Sequence, residues 1–403
     1  MKNNIKVGMV GLGYIGLPTA ALMALKNMEV LGIDINKDVV ETINRGNIHI
    51  VEPELDTLVA NVVKSGKLCA SQKPKQADVF VIAVPTPIKK NNQPDISYVQ
   101  SATEMILPYL QPDNLFIIES TSPVGTTEKM AELIYKERPE LKGKLHIAYC
   151  PERVLPGNVI YELENNDRAI GGIDESSTKK AIEFYQNFVK GELYPTNART
   201  AEMVKLVENS SRDVQIAFAN ELSIISDKAG IDVWELIELA NKHPRVNILR
   251  PGTGVGGHCI AVDPWFIVSD FSKEARLIRT AREINNYKTE WVIEKIKNEA
   301  LEFELKNRKK PRIAAMGLAF KPDIDDLRES PSLYVARSLK MQGFNILAVE
   351  PNISHSEEFD LFELDQAIQK ADIIVFLVGH KEFKNIDILD NKIILDFVNI
   401  QKK

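Results

Sequence analysis

Cysteine is scarce in this chain: Cys69, Cys150 and Cys259 are the only three in 403 residues. Three distant thiols exclude a disulfide framework, and so sparse and odd a set suits a reducing compartment. No apolar run approaches the ~20 residues that cross a bilayer, so no membrane span is expected. The opening residues also lack a secretory-leader pattern: Val7-Gly8-Met9-Val10 runs straight into a glycine turn, as a first buried strand does. Positive charge is not in excess, since 50 Lys and Arg against 56 Asp and Glu leave a net −6. That balance argues against nucleic acid as the main partner. An anionic ligand must then be held by locally placed cations and backbone N–H groups. A cytoplasmic protein is expected.

What is present is an ordinary globular composition, 44% hydrophobic and 26% charged, long enough for two or three domains. Residues 5–10, 29–33, 79–84, 115–118 and 145–148 read as strands buried on both faces, with helical stretches such as 18–26 between them. The alternation predicts a doubly wound, mostly parallel sheet. From about 200 to 239 the pattern is helical, with no glycine until Gly230. A helix this long has no strand to cover, so it is expected to link domains and pack against another subunit. A second helical stretch covers 275–305. The basic run Lys306-Asn307-Arg308-Lys309-Lys310 and Pro311 then mark a linker; the run is either an anion patch or, by preference, a solvated loop. Beyond it the opening design recurs: 312–320 parallels 6–14, 345–350 parallels 29–34, and 372–378 echoes 78–84. The predicted fold class is α/β, two Rossmann-like doubly wound domains joined by a long central helical region. The boundaries are 1–197 for dinucleotide binding, 198–306 for the helical and dimerisation part, and 307–403 for the C-terminal domain.

Gly11-Leu12-Gly13-Tyr14-Ile15-Gly16 follows a predicted strand, precedes a helix, and is followed by Asp34 at the end of the next strand. Its glycines permit the tight turn, close phosphate approach and helix–strand packing. Asp34 can bond both ribose hydroxyls and repels a 2′-phosphate, which favours NAD over NADP, although Lys37 is a nearby cation. Ala319 stands where the second copy would have its Gly13, so that copy is expected to bind something else. Thr86, Thr121 and Thr126 lie at other strand ends, where ligands of such sheets bind. Threonines in turns need no function, so each has a plain structural alternative.

The glycines at 254, 256 and 257 present Cys259 in a loop that lets a ligand approach, which reads as a nucleophile rather than a packing thiol. Cys69 and Cys150 read as packing residues. Lys205, Asn209 and Arg212 form one helix stripe. It is either a surface pattern with Glu202 and Glu208 as partners, or a lysine for proton transfer or alkoxide stabilisation. Glu152 follows a strand end and Asp263 follows the thiol; each is either a base for water or a structural carboxylate. His243, Arg245, Lys321 and Arg328 are cations suited to a diphosphate, or plain surface charges.

Together these residues, in this order along essentially the whole chain, resemble the UDP-glucose/GDP-mannose dehydrogenase family. Cys150–Gly157, His243–Arg245 and Gly257–Trp265 are most similar to members acting on UDP-N-acetylhexosamines. The resemblance implies four-electron oxidation of the C6 hydroxyl by two NAD. The implied sugar is UDP-N-acetyl-D-mannosamine, with UDP-N-acetylglucosamine as the alternative. It implies Cys259 as nucleophile, Lys205 as proton carrier or alkoxide stabiliser, Asn209 at the oxyanion, and Asp263 and Glu152 in water and proton handling. Tyr14, Ile15, Asp34, Thr86 and Thr126 fall at cofactor-contact positions. Arg153, Val154, Arg212, His243, Arg245, Gly256, Phe320, Lys321 and Arg328 fall at substrate-contact positions. It also implies a homodimer, since the Arg245 position can be donated by a neighbouring subunit. Two departures stand out. Phe397 and Val398 replace a threonine and a cation, and Pro156 stands where glucose-specific members carry a glutamate. Two readings of another kind are a nucleotide-sugar-binding regulator without activity, and a two-electron β-hydroxyacid dehydrogenase, which would not need Cys259.

Overall fold

The computed structural model describes residues 5–50, 52–154, 157–257, 259–384, 386–388 and 391–401; Pro156 and His258 lie outside them. The chain divides into two compact units, 1–208 and 209–403. The first runs β1 (Lys6–Val10), α1 (Gly16–Leu25), β2 (Glu29–Ile33), α2 (Lys37–Asn44), α3 (Leu55–Lys64), β3 (Leu68–Ser71) and β4 (Val79–Ile82). It continues with α4 (Ser97–Ile106), β5 (Leu115–Ile118), α5 (Thr126–Glu137), β6 (His146–Tyr149), α6 (Val159–Asn165), β7 (Arg168–Gly172), α7 (Glu175–Tyr185) and β8 (Leu193–Asn197). Then α8 (Ala198–Ala229) carries the chain into the second unit, which holds α9 (Val233–Ala240), α10 (Asp263–Asp270) and α11 (Arg276–Asn307). Last come β9 (Arg312–Met316), α12 (Pro331–Met341), β10 (Asn345–Val349), α13 (Leu364–Lys370), β11 (Ile373–Phe376) and β12 (Ile393–Asp396).

The first sheet has the order β3-β2-β1-β4-β5-β6-β7-β8, parallel except where β6 meets β7. Strand order reverses between β1 and β4, so a crevice opens beyond their carboxyl ends. Alternation inside the apolar runs explains why both faces are covered. Val79, Val81, Leu115 and Ile117 enter one core, while Phe80, Ile82, Phe116 and Ile118 enter the other. The second sheet repeats the design as β10-β9-β11-β12, all parallel, with its reversal between β9 and β11.

Four strands go unread in the sequence. β3 is short and at an edge, β7 carries a charged residue and two glycines, β8 is half-exposed with Pro195 in it, and β12 is a four-residue edge strand; proline is tolerated in β8 because an edge leaves N–H groups unused. The single helix expected over 200–239 is two. Gly230 takes φ +69, its N–H bonds Asp227 O, and Asp232 caps α9 through the Trp234 N–H, an ordinary left-handed stop. Within the second unit α8 and α11 meet along a polar seam. Arg282 Nη1 lies 2.6 Å from Asp213 Oδ1, Asn285 bridges to Asp213 and Asn220, and buried Lys288 donates to Ser223. Among the described residues no helix is long and apolar enough to cross a membrane.

Candidate functional site

The glycine turn after β1 shows three different needs. A Cβ on Gly11, whose φ is +93, would strike Ala83 O, and one on Gly16 would strike Gly11 O. At Gly13 a Cβ would meet nothing within 4 Å, so the space above it is open to a ligand. α1 starts here without a side-chain cap or an acid in its first turn, which leaves its positive end to an outside anion. Asp34 closes β2 and accepts the Leu12 N–H at 3.0 Å and the Asn36 N–H at 2.9 Å. Lys37, exposed, lies 3.4 Å from Glu41. Tyr14 is exposed, and Ile15, Thr86 and Thr121 are half-buried. Thr126 departs from the expected cofactor contact: it is fully buried and its hydroxyl donates to Pro123 O at 2.7 Å. The open cradle, the helix terminus and Asp34 fit a dinucleotide.

Just past β6, Glu152 is buried and ion-paired with Arg168 at 2.9 Å. Its neighbour Arg153 is turned to internal work, with Nη1 2.6 Å from Glu208 and Nη2 donating to Asp167 O. Val154 packs against the core. The helix stripe is also resolved. Glu202 does not pair with Lys205; it is buried and accepts from the Gly125 and Thr127 N–H groups and the Thr127 hydroxyl. Burial raises its carboxyl above the usual range, against those hydrogen bonds. Glu208 is taken by Arg153, so neither glutamate neutralises the stripe as a surface pattern would require. Lys205 and Asn209 are half-buried and Arg212 exposed.

In the second unit the cysteine loop is shaped by what lies against it. A Cβ on Gly256 would meet Glu329 O, and one on Gly257, at φ +82, would lie 2.9 Å from the Phe320 ring. The glycines therefore let the loop lie flat on residues 320–331. Gly256 serves that packing first. Cys259 is exposed, and its carbonyl accepts the Asp263 N–H at 2.8 Å, one turn before α10 begins. Asp263 is buried and its Oδ2 accepts from Asn209 Nδ2 at 2.5 Å. The Cys259 backbone, the Asp263 residue and the Asn209 amide are thus linked through one short path. Cys69, expected to pack, is exposed on β3, whereas Cys150 is buried.

A cavity of about 710 Å³ in the second unit is lined by Arg250, Thr253, Phe320, Lys384, Val398 and Gln401 among others. Arg250 and Lys384 were not singled out from the sequence, because a lone cation in a loop has no distinguishing spacing. Lys321 is exposed beside Phe320. Arg328 is fixed on Asp326 at 2.7 Å. His243 and Arg245 are exposed in the loop after α9. The divergent tail has found structural work: Phe397 stacks edge-on against Trp291 at 6.0 Å, and Lys288 sits 3.8 Å over that indole. Burial pushes the Lys288 amine down to about 7. Within the basic run, Lys309 pairs with Asp372 at 2.8 Å, as a solvated loop would.

The second glycine turn is closed from within. Glu350, ending β10, accepts the Leu318 and Ala319 N–H groups at 2.7 and 2.9 Å and lies 3.0 Å from His380 Nε2. The Leu318 bond repeats the one Leu12 makes to Asp34 in the first turn, and the Ala319 bond is added to it. Asp323, His380 and Glu382 lie close enough to share a cation, yet His380 Nδ1 already accepts from Asp323 N–H and faces Asn352 Nδ2, while Nε2 is held by Glu350.

Three models of the UDP-glucose/GDP-mannose dehydrogenase family match: the NAD binding domain over residues 5–189, the central domain over 199–287 and the UDP binding domain over 314–403. The chain is similar to UDP-N-acetyl-D-mannosamine dehydrogenase of Campylobacter jejuni, 53% identical over 96% of this chain and 98% of that one. It is also similar to NDP-N-acetyl-D-galactosaminuronic acid dehydrogenase of Ralstonia nicotianae, 49% identical over 97% and 95%. Among solved structures, UDP-D-ManNAc dehydrogenase from Pyrococcus horikoshii superposes with a TM-score of 0.89, 40% identical over 99% of this chain and 96% of the other.

Proposed function

Because the chain belongs to the UDP-glucose/GDP-mannose dehydrogenase family, we propose that it oxidises the C6 hydroxyl of UDP-N-acetyl-D-mannosamine through the aldehyde to the uronate. The observation that carries the reading is an exposed thiol, one turn from a buried aspartate that is bonded to Asn209, in a chain that also holds an open dinucleotide cradle. The relative from C. jejuni bears the name of this activity.

NAD would be held at Gly13 and Asp34, in the turn that Gly11 and Gly16 shape, and when bound would supply the hydride acceptor for both oxidations. Lys205, or a water it orients, takes the hydroxyl proton and steadies the alkoxide. Cys259 adds as thiolate to the aldehyde, and the resulting thiohemiacetal is the second hydride donor. Asn209 donates to the oxyanion. Asp263 or Glu152 orients the water that hydrolyses the thioester. The cavity beside Phe320 takes the nucleotide half, with Arg250 and Lys384 in place of the cation absent at Val398. Functionally the chain divides at 1–197, 198–306 and 307–403. It works as a homodimer in the cytoplasm. Phe218 and Ile225, seven residues apart on one face of α8 and 51% and 55% exposed, favour burial against a second copy.

The test is NADH formation across UDP-sugars with product identification. Two NADH per UDP-N-acetyl-D-mannosamine and a uronate product are expected, and the gluco and galacto epimers should react more slowly. One NADH per sugar, or none, overturns the scheme; a faster epimer replaces the sugar. Sedimentation should give a dimer that Phe218→Asp weakens.

A further inference from the structure

Glu152 is the only member of a buried ionisable set to which the scheme above gives a role. Glu119 follows β5, Cys150 and Glu152 follow β6, Arg168 opens β7 and Tyr185 closes α7. Each of the five is at most 7% exposed. Arg168 Nη1 lies 2.9 Å from Glu152 Oε2 and 3.9 Å from Cys150 Sγ; Nη2 donates to Leu163 O at 3.0 Å. The guanidinium carbon stands 5.3 Å from the centre of the Tyr185 ring. Glu119 Oε1 accepts the Tyr185 hydroxyl at 2.6 Å, and Oε2 has no partner among the described residues.

Two carboxylates therefore lie in the field of one guanidinium, and Glu152 is the one paired with it. With both ionised, the set would bury an uncompensated charge, which costs several kcal/mol. One proton removes that cost, and the geometry assigns it. Glu152 has the ion pair and also accepts the Arg153 N–H at 2.7 Å, whereas among the described residues Glu119 has only a neutral phenol. A purely structural patch of this size would be at least as stable if apolar. The charges therefore point to a task.

We propose that Arg168 is a positioning residue for Glu152, and that Glu119, hydrogen-bonded to Tyr185, holds the proton that keeps this set neutral and leaves Glu152 ionised and anchored. The inference rests on Glu152 acting in turnover. Burial, with the neighbouring Glu152 charge, raises the Glu119 carboxyl to about 7. Burial pushes the Cys150 thiol up to about 12 and the Tyr185 hydroxyl well above its usual value, and Arg168 stays charged. Above about 7 Glu119 ionises, competes for Arg168 and loosens Glu152.

The experiment is kcat against pH for the full-length wild type, E119Q, R168K, R168Q and E152Q, with thermal unfolding as a check on folding. Glutamine cannot ionise, so the ratio of E119Q to wild-type kcat should rise as pH passes from about 6 to about 8. R168Q should lower kcat by about tenfold or more with both KM values nearly unchanged, and R168K should recover part of the loss. A flat E119Q ratio overturns the inference, as does wild-type kcat in R168Q; if R168Q does not fold, the E119Q ratio alone decides. Should E152Q turn over at the wild-type rate, the role given to Glu152 falls and this inference with it. A slow E152Q beside a flat E119Q ratio overturns the inference alone.

Discussion

Lys205 and Asn209 lie on one stripe of α8, and the two glutamates that would make that stripe ordinary surface are committed elsewhere, Glu202 to Gly125 and Thr127 and Glu208 to Arg153. A half-buried lysine left without these partners suits an interaction that strengthens as an alkoxide forms. Lys205→Ala should accordingly lower kcat by ~10²–10³ while leaving KM for the sugar within a few-fold. Initial rates over both substrates check this, and an effect confined to KM removes Lys205 from the chemistry. The choice between surface pattern and reactive group turned on partners far along the chain. Glu202 meets residues 75 and 77 positions away, and no spacing within a helix reports that.

At the scale of the element, the first glycine turn separates binding from packing. Gly13 faces open space and Gly16 faces the Gly11 carbonyl. Gly13→Ala should leave thermal stability unchanged and raise KM for NAD by about tenfold, since the added methyl occupies the phosphate's approach. Gly16→Ala should cost about 1–3 kcal/mol, because the turn must open to admit it. Chemical denaturation beside NAD titration distinguishes the two; equal destabilisation would remove Gly13 from the ligand site. This turn was legible in the sequence because strand, glycines, helix and acid follow within some thirty residues. The second turn was legible only in part. Ala319 hinted at a different ligand, but that Glu350 itself takes the Leu318 and Ala319 N–H groups depends on His380, thirty residues further on. β7 and β8 were missed for a related reason: charge, glycine and proline make them read as loops until neighbouring strands supply the ladder.

Over the whole molecule, one buried carboxylate in each unit, Glu350 in the second and Glu119 in the first, responds to pH with opposite sign. Hydrogen bonds from His380 and the backbone N–H groups hold Glu350 at about 2 against burial, below its ordinary 4.5. Its contribution to the second unit is present above about 4.5 and is lost as pH falls toward 2. Glu119, raised to about 7, does the reverse: its contribution to the first unit is full below its ordinary 4.5 and is lost as pH rises through 7. Glu350→Gln should cost on the order of 2 kcal/mol near neutrality and flatten the loss of stability between pH 5 and 3. Thermal unfolding over that range measures it, and a mutant with the wild-type acid slope would refute the assignment.

By itself the sequence determined what short range can carry. Buried runs alternate on a two-residue period, the glycine turn precedes its helix, and glycines flank an exposed cysteine. Each is a constraint among neighbours, so hydrophobic pattern and backbone freedom are enough to read it. Tertiary structure alone decided which charges meet. Arg168 stands beside Glu152, Asn209 beside Asp263, and Lys288 beside Ser223, because sheet order and helix packing join groups that chain distance keeps apart. A charge costs too much to bury alone, so its position and protonation follow from the partner the fold provides.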